Sequence, residues 1–455
     1  MAKDRKNAGK KNKLHTVDST QNLNTPAPKM GPDASLAPEK MSLWKVPGFA
    51  PTMVAVAAAF GAWSLLLPVV PTQVLEDGGS AALAGASTGV FMAATVATQI
   101  FTPWMLRKFG YRSVMAVSAF MLGVPALGHL LGTDAWAVLL FSALRGTGFG
   151  ALTVAESALM AELVPLKYLG KATGTLGVFV GASQMVFLPI GLMMSSSLGY
   201  GATYATAAVI GVIAVGMVFR IPDIYAQPDT DADGSVSSES AKPRVSIWKL
   251  VLVPALGLSA ISMSYGVVSS FLPATVTDID PVTGAALGGV MLSIVGGGAM
   301  ISRYFAGIIA DRIGEPGRLY IPGQLTSFAG MALMSATIVG GWSVWWLVVA
   351  AAFFGAGFGV VQQEALLSMF ARLPRSRSSE ASALWNIAYD GGTGLGSMVF
   401  AGVVAGAGYA GGYAAGAAVI LVGALLTSLD RFIGRHRISE YDNIKTRLKR
   451  LRKEK

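Results

Sequence analysis

The stretch LLFSALRGTGFGALTVAESALMAELVP, residues 139–165, decides the fold of this chain of 455 residues. It is an apolar run long enough to cross a bilayer as a helix, and it carries one arginine, Arg145, where the middle of such a helix would lie. A guanidinium at that depth costs about 2.5 to 3.5 kcal/mol on insertion scales. Such a charge normally faces a protein interior or a water-filled cavity, so Arg145 predicts a functional cavity.

Part of this stretch returns 209 residues later in the chain. GTGFG at residues 146–150 is repeated as GAGFG at residues 355–359, but Phe354 stands where the first copy has Arg145. The other landmarks at this offset are Pro165 with Pro374 and residues 171–181 with residues 380–390. Chance similarity between apolar, glycine-rich segments is the alternative explanation. The shared spacing favours an internal duplication, and parallel six-helix repeats are a known plan of transporters.

The composition indicates a membrane protein. Hydrophobic residues make up 53% of the chain and charged residues only 13%, and the mean hydropathy is +0.55. So few polar side chains cannot cover a water-soluble globule of this size. The chain has no cysteine, which excludes disulfides and thiol chemistry. Its three histidines lack the spacing of metal ligands, so we expect no metal site.

Positive charge is concentrated at the two ends of the chain. Residues 1–45 carry a net charge of +5 and residues 431–455 one of +7, so the remainder is slightly negative. Basic ends of a membrane domain contact anionic lipid, so this pattern predicts membrane lipids rather than nucleic acid as a partner. The predicted domains are 1–45, a disordered basic cytoplasmic tail; 46–220, a six-helix half; 221–247, a cytoplasmic linker; 248–432, a second six-helix half; and 433–455, a basic amphipathic cytoplasmic tail.

Twelve apolar runs, each near the length that crosses a bilayer, follow one another between residues 49 and 430. If the amino terminus is cytoplasmic, none of the outer loops contains lysine or arginine, as the positive-inside rule requires. Arg145 alone departs from this rule, since Arg303 is expected close to an inner helix end. We predict an all-α, multi-pass protein of the plasma membrane with twelve transmembrane helices in two pseudo-symmetric six-helix halves and both termini in the cytoplasm.

The segment GIIADRIG, residues 307–314, resembles the G-x-L-A-D-R-x-G signature of the major facilitator superfamily. In the family this loop joins helices two and three and, as a second copy, helices eight and nine. The matching copy in the first half of this chain is PWMLRKFG, residues 103–110, where Arg107 replaces the family's aspartate. Asp311 can accept hydrogen bonds from the N-terminus of a neighbouring helix and from Arg312. The resemblance implies the twelve-helix fold of that superfamily and a latch that closes the cytoplasmic side. The residues of this gate motif are Gly307, Asp311, Arg312, Gly314, Arg107 and Gly110.

The segment RGTGFG, residues 145–150, is similar to the fourth-helix motif R-x-x-x-G of the superfamily's drug:proton antiporters. In those proteins the arginine faces the cavity and is linked to proton coupling. The fifth-helix motif G-P-x-x-G-G of the antiporters survives here only as LPIG, residues 188–191. The resemblance therefore implies a cavity role for Arg145 and specifies the superfamily better than the substrate.

Coupling to protons needs a titratable group near the cavity, and the candidates within the apolar runs are Asp390, Glu364 and Glu156. Asp390 lies near mid-depth of its run among glycines that leave room for water, so we expect it to be the proton acceptor. A carboxylate satisfied by neighbouring hydroxyls is the alternative. Glu364 is as well suited to the substrate path as to carrying a proton. Glu156 is too distant from Arg145 for direct pairing, and its expected partner is a lysine such as Lys171.

Polar and aromatic residues in the first, seventh and eleventh runs are further candidates for the cavity wall. Each of them alone is more often a packing residue, because small and polar side chains also join membrane helices. Few charges and several aromatics suit an apolar or amphipathic solute, whereas Arg145 favours an anion. The candidates are Trp63, Tyr265, Asn386 and Tyr389.

These features predict a secondary transporter, most specifically a proton-coupled exporter of a drug or metabolite that works as a monomer by alternating access. The chain lacks the phosphate-binding motif G-x-x-x-x-G-K-[ST], so we expect the proton gradient, and no cofactor, to supply the energy. Proton-linked import of a nutrient or metabolite and lipid flipping are alternatives within transport. A membrane receptor is the alternative outside it. An enzyme is not expected, because clustered nucleophiles, metal ligands and acid pairs are missing.

Overall fold

The computed structural model describes residues 42–226 and 246–433, and within them every regular element is a helix. The predicted all-α class is therefore confirmed. The predictions for most of the amino-terminal tail, for most of the linker and for nearly all of the amphipathic tail concern residues outside the described ranges, whereas the end of the amino-terminal tail forms a short 3-10 helix at Leu43–Lys45. The helices are α1 Phe49–Leu66, α2 Val69–Glu76, α3 Ala81–Gly123, α4 Ala135–Leu163, α5 Leu169–Val218, α6 Ile247–Ile279, α7 Pro281–Ile313, α8 Tyr320–Val339, α9 Trp345–Arg372 and α10 Ser378–Ile433.

Three of these helices are too long to cross a membrane once. The 43 residues of α3 would extend about 65 Å as a straight helix, roughly twice the hydrocarbon thickness of a bilayer. Each of α3, α5 and α10 contains one glycine with a left-handed backbone, namely Gly110 (φ 78°), Gly199 (φ 85°) and Gly408 (φ 68°). Glycine adopts this conformation without the steric cost of a Cβ atom, so each long helix divides there into two.

Eight stretches of the described residues are long and apolar enough to cross a membrane. Three of these stretches contain the dividing glycines, and the 20-residue helix α8 adds one more crossing. This division gives twelve membrane-length segments in the described part of the chain, which is the number that the hydropathy pattern predicts.

The internal duplication is visible in the backbone. Gly199 and Gly408, which divide α5 and α10, are 209 residues apart, the same offset as the sequence repeat. The turns before these two helices are also equivalent, since Pro165 and Pro374 precede short 3-10 helices at Leu166–Tyr168 and Arg375–Arg377. The two halves thus share turns as well as helices.

The glycines of the repeated motif determine how closely the fourth helix of each half packs. A Cβ atom at Gly146 would lie 2.2 Å from the carbonyl oxygen of Phe91, and one at Gly150 would lie 2.3 Å from that of Thr95. Real Cβ atoms do not approach so closely, so α4 can contact α3 only with glycine at these positions. Thr95 adds a hydrogen bond from its hydroxyl to the Gly146 carbonyl at 3.1 Å.

The second half repeats this packing. A Cβ atom at Gly355 would lie 2.3 Å from the carbonyl oxygen of Val295, and one at Gly359 would lie 2.1 Å from that of Ala299. The glycines therefore serve the same purpose in both halves. Arg145 is not part of this shared packing, because the equivalent position in α9 is Phe354.

The two halves contact each other from one end of the bundle to about its middle. We call this end, where α4, α7 and α9 finish, the inner end, because the charge pattern predicts that it faces the cytoplasm. The hydrogen bond between Gln99 of α3 and Asp390 of α10 joins the halves about 18 Å along α10. Directly after it, a Cβ atom at Gly391 or Gly394 would meet nothing within 4 Å. Within the described ranges, the hydrogen bonds that join the halves lie at Asp390 or nearer the inner end, so the inner end is closed and we call the side beyond Asp390 the open side.

Candidate functional site

The gate motif of the second half contacts the first half at the inner end. Asp311, near the end of α7, accepts hydrogen bonds from the backbone N–H groups of Gly170 and Lys171, each at 2.7 Å. These two residues form the first turn of α5, where unpaired N–H groups and the helix dipole favour a carboxylate. The expected contact of Asp311 with a helix N-terminus is observed. No hydrogen bond or ion pair between Asp311 and Arg312 is seen in the described ranges.

Small residues allow this latch to form. Gly307 lies so close to α5 that a Cβ atom there would be 2.1 Å from the carbonyl oxygen of Gly170. Gly314 ends α7 in the left-handed conformation (φ 68°), which terminates the helix directly after the latch. The glycines of the gate motif are therefore explained by close approach and by helix termination.

The gate motif of the first half forms a latch of opposite polarity. Arg107 of α3 forms an ion pair with Glu380, in the first turn of α10, at 2.6 Å. Glu380 is the duplicate of Lys171, so the acid and the cation have exchanged places between the halves. Both side chains are partly exposed, 40% and 21%, so the pair contributes no more than about 1 kcal/mol. Gly110 (φ 78°) makes the turn that follows.

Asp390 joins the two halves in the middle of the bundle. Its carboxylate accepts a hydrogen bond at 2.6 Å from the side-chain amide of Gln99, which belongs to the other half. The amide of Asn386, one turn earlier on α10, donates to the backbone carbonyl of Thr153 on α4 at 3.2 Å. Gln99 is fully buried and its amide oxygen has no hydrogen-bond partner within the described ranges. Asp390 and Asn386 thus lie at the interface between the halves.

A partly buried arginine in the second half was placed wrongly by the charge pattern. Arg303 lies ten residues, or about 15 Å, before the end of α7 rather than at an inner helix end. Its guanidinium donates to the side-chain oxygens of Gln363 (3.3 Å) and Gln362 (3.4 Å) and lies 5.2 Å from the ring of Trp385. These neighbours stabilise the cation at this depth.

Glu156 interacts electrostatically with Arg303, not with Lys171 as the sequence suggested. It is buried on α4, and one of its carboxylate oxygens has no hydrogen-bond partner within the part of the chain that is described. The sequence did contain a signal for the depth of Arg303. Like Arg145, it is an arginine within an apolar run.

Glu364 has a different environment from the one expected for a pathway residue. It is almost completely buried on α9 and accepts a hydrogen bond from the backbone N–H of Gly317, in the turn before α8. Gly317 has a left-handed backbone (φ 91°), so the turn is fixed in shape. This geometry favours a role for Glu364 in anchoring the turn.

Equivalent aromatic stacks line the two halves. In the first half, Trp63 stacks on Phe149 with ring centroids 4.8 Å apart and an interplanar angle of 20°. In the second, Tyr265 stacks on Phe358 at 4.6 Å and 19°. Phe149 and Phe358 are the phenylalanines of the repeated GxGFG motif, and no sequence pattern indicated that they would contact the candidate aromatics. Tyr389 extends the second stack, since its ring lies 5.9 Å from Phe358.

Arg145 lies at the outer end of the first stack. Its Nε donates to the carbonyl of Leu122 at 3.1 Å, and Pro125, three residues on, has no N–H with which to satisfy that carbonyl. The guanidinium carbon lies 5.9 Å from the ring of Phe91. Arg145 and Trp63 also line a cavity of about 20 Å³. In the described ranges, no ion pair or hydrogen bond joins Arg145 to Asp390 or Glu364, so the structure does not bring together these expected partners.

A family model described as the Major Facilitator Superfamily matches residues 52–397. The chain belongs to this superfamily. Two relatives in the superfamily are the uncharacterized MFS-type transporter YbcL of Bacillus subtilis (strain 168), 26% identical over 195 residues, and the MFS-type transporter SLC18B1 of Mus musculus, 25% identical over 265 residues. These alignments cover 42% and 55% of this chain and 45% and 54% of the relatives. The chain therefore spans about half the length of the relatives that it matches.

Solved structures of the superfamily have the same fold. The proton:xylose symporter XylE bound to 6-bromo-6-deoxy-D-glucose superposes with a TM-score of 0.70 at 15% identity, over 84% of this chain and 95% of XylE. The transporter FucP in the outward conformation gives a TM-score of 0.65 at 15% identity, over 85% of this chain and 99% of FucP. At these identities the likeness shows the fold, and this member of the superfamily is a multi-pass membrane protein.

In this superfamily member, the interface between the halves combines two properties that a transport cycle requires. The contacts at the inner end include polar pairs on separate helices, such as Asp311 with the first turn of α5. The middle of the interface holds an acid, Asp390, beside open space.

Proposed function

We propose that the protein is a proton-coupled exporter, which moves a small solute by alternating access between its two halves. In this proposal the inner end faces the cytoplasm, the protein lies in the plasma membrane as a monomer, and the proton gradient supplies the energy without a cofactor. The observation that carries the proposal is the hydrogen bond between Asp390 and Gln99, which joins the halves next to open space.

The proposed coupling follows from the chemistry of that bond. An ionised carboxylate accepts the amide hydrogen bond of Gln99 more strongly than a neutral carboxyl does, because hydrogen bonds to charged groups are roughly twice as strong. A proton arriving from the open side weakens the bond and allows the halves to separate at the inner end. Release of the proton to the cytoplasm restores the bond and returns the protein to the outward-open arrangement.

Flux in proteoliposomes with an imposed pH gradient tests both the coupling and its sense. For antiport, acid-inside vesicles should accumulate solute as protons leave, whereas a symporter accumulates it when the acid is outside. Membrane-impermeant organic anions and cations should both be offered, with protein-free liposomes as the control. Accumulation only in acid-outside vesicles would replace export by import.

The Asp390→Asn variant tests the acid itself. It keeps a hydrogen-bonding side chain but cannot bind a proton, so flux should become insensitive to the pH gradient. Asp278→Asn is the matched control, because Asp278 is an exposed acid near the outer end of α6. If Asp390→Asn transports with the same gradient dependence as the wild type, Asp390 is not the coupling acid.

A further inference from the structure

We propose that Arg145 and Trp63 bind the charged group of an amphipathic organic anion with a flat apolar body. This assignment names the class of solute for the transport proposed above and rests on that function. It gives Arg145 a role in binding solute, which the proton acceptor Asp390 does not share.

The balance of charge in the middle of the bundle leaves Arg145 without a counterion. Asp390 is held by Gln99, and Glu156 interacts with Arg303. The ion pairs found in the described ranges lie at the inner end and do not involve Arg145. An uncompensated buried cation is costly, and a bound anion removes that cost.

The donors around the cavity also require an acceptor. The Nε of Arg145 is taken by the Leu122 carbonyl, but its two terminal nitrogens have no acceptor in the described part of the chain. The indole Nε1 of Trp63 is buried and has no hydrogen-bond partner there either. Both side chains line the same cavity, together with the hydroxyl-bearing residue Ser142. Carboxylate and sulfonate groups only accept hydrogen bonds, so they match this set of donors.

The shape of the site indicates which apolar body the anion carries. The cavity of about 20 Å³ has room for about one water-sized group, which corresponds to one oxygen of the anion. Trp63 is only half-buried, and its ring is stacked on Phe149. A flat apolar body can continue this stack toward the open space between the halves. An organic cation of the same shape would meet the positive charge of Arg145.

Three naphthalene compounds, which share one ring system and differ in the charge of the substituent at position 2, provide the first test, with binding to the purified wild-type protein measured by calorimetry. They are 2-naphthalenesulfonate, 2-naphthalenemethanol and 2-naphthylmethylammonium. A charge-assisted hydrogen bond to Arg145 should make the sulfonate bind about tenfold or more tightly than the alcohol, and the ammonium compound should bind most weakly. Equal affinities, or preference for the ammonium compound, would overturn the assignment.

Variants then locate the preference. Arg145→Gln should bind the sulfonate and the alcohol equally, whereas Trp63→Ala should lose affinity for both. Arg372→Gln is the matched control, because Arg372 pairs with Asp430 at the inner end, and it should keep the preference for the sulfonate. Retention of that preference by a folded Arg145→Gln protein would refute the site. Arg145→Gln also loses the bond to Leu122, so a thermal melting curve must show that each variant is folded. The comparison of the three compounds on the wild-type protein does not depend on any variant.

The binding test and the flux test fail independently. Sulfonate binding that depends on Arg145, without any gradient-driven flux, would refute the proton-coupled function and leave the anion site in place. Gradient-driven flux of the ammonium compound without sulfonate binding would refute the anion site and leave the coupling in place.

Discussion

Neutralising Asp311 should release the latch at the inner end. In Asp311→Asn the amide oxygen can replace one of the two carboxylate acceptors, but the amide nitrogen faces an N–H group and cannot accept from it. The variant therefore loses one charge-assisted hydrogen bond of about 1.5 to 3 kcal/mol. It also loses the interaction of a charge with the dipole of α5, which is about 0.3 to 1 kcal/mol. The closed arrangement should lose about 2 to 4 kcal/mol, a shift of roughly 30-fold to several hundredfold in the equilibrium.

Cysteine accessibility can measure this shift, because the chain has no cysteine of its own. Ser382 is fully buried and its hydroxyl lies 2.6 Å from that of Ser157 in the other half, so Ser382→Cys introduces a similar side chain at the closed interface. A polar maleimide should label this cysteine slowly in the otherwise wild-type protein. Adding Asp311→Asn should raise the labelling rate at least about tenfold. An unchanged rate in a folded protein would show that Asp311 does not hold the inner end closed.

Two further predictions concern the packing of α4 on α3 and the ion pair between Arg107 and Glu380. Gly150→Ala should lower the melting temperature, because the added methyl group forces α4 away from Thr95 at a cost of about 1 to 3 kcal/mol. Gly216→Ala is the control, since a Cβ atom there meets nothing within 4 Å. Equal melting temperatures of the two variants would contradict the packing argument. Arg107→Glu and Glu380→Arg should each remove the attraction between these two side chains, and the double variant should restore it. A double-mutant cycle on labelling rates should give a coupling of about 0.2 to 1 kcal/mol that decreases with salt, and a cycle without coupling would remove this pair from the gate.

The helices and the duplication could be predicted from the sequence because they depend on local patterns. Apolar length defines each crossing, and the repeated GxGFG motif reports the close approach of two helix backbones at Gly150 and Gly359. The contact of Asp311 with a helix N-terminus was also predictable, because the unpaired N–H groups at a helix N-terminus favour a nearby carboxylate as their acceptor. These features follow from residues that are close in sequence or identical between the repeats.

The contacts within the candidate site depended on information that the sequence does not carry. Gln99 and Asp390 are 291 residues apart, and their hydrogen bond exists only because the two halves dock in one register. The interaction of Glu156 with Arg303 depends on the same register. The stacking of Phe149 under Trp63 was also hidden, because a phenylalanine in an apolar run gives no signal of its own.

The two single-glycine turns of α5 and α10 have a mechanical consequence. In each case a single glycine joins the two helix segments, so no flexible loop separates them. The first turn of α5 carries the N–H groups held by Asp311, and the first turn of α10 carries the acid held by Arg107. Each of these contacts therefore lies at the end of its helix segment opposite the glycine turn, and we expect opening of the contact to move that turn.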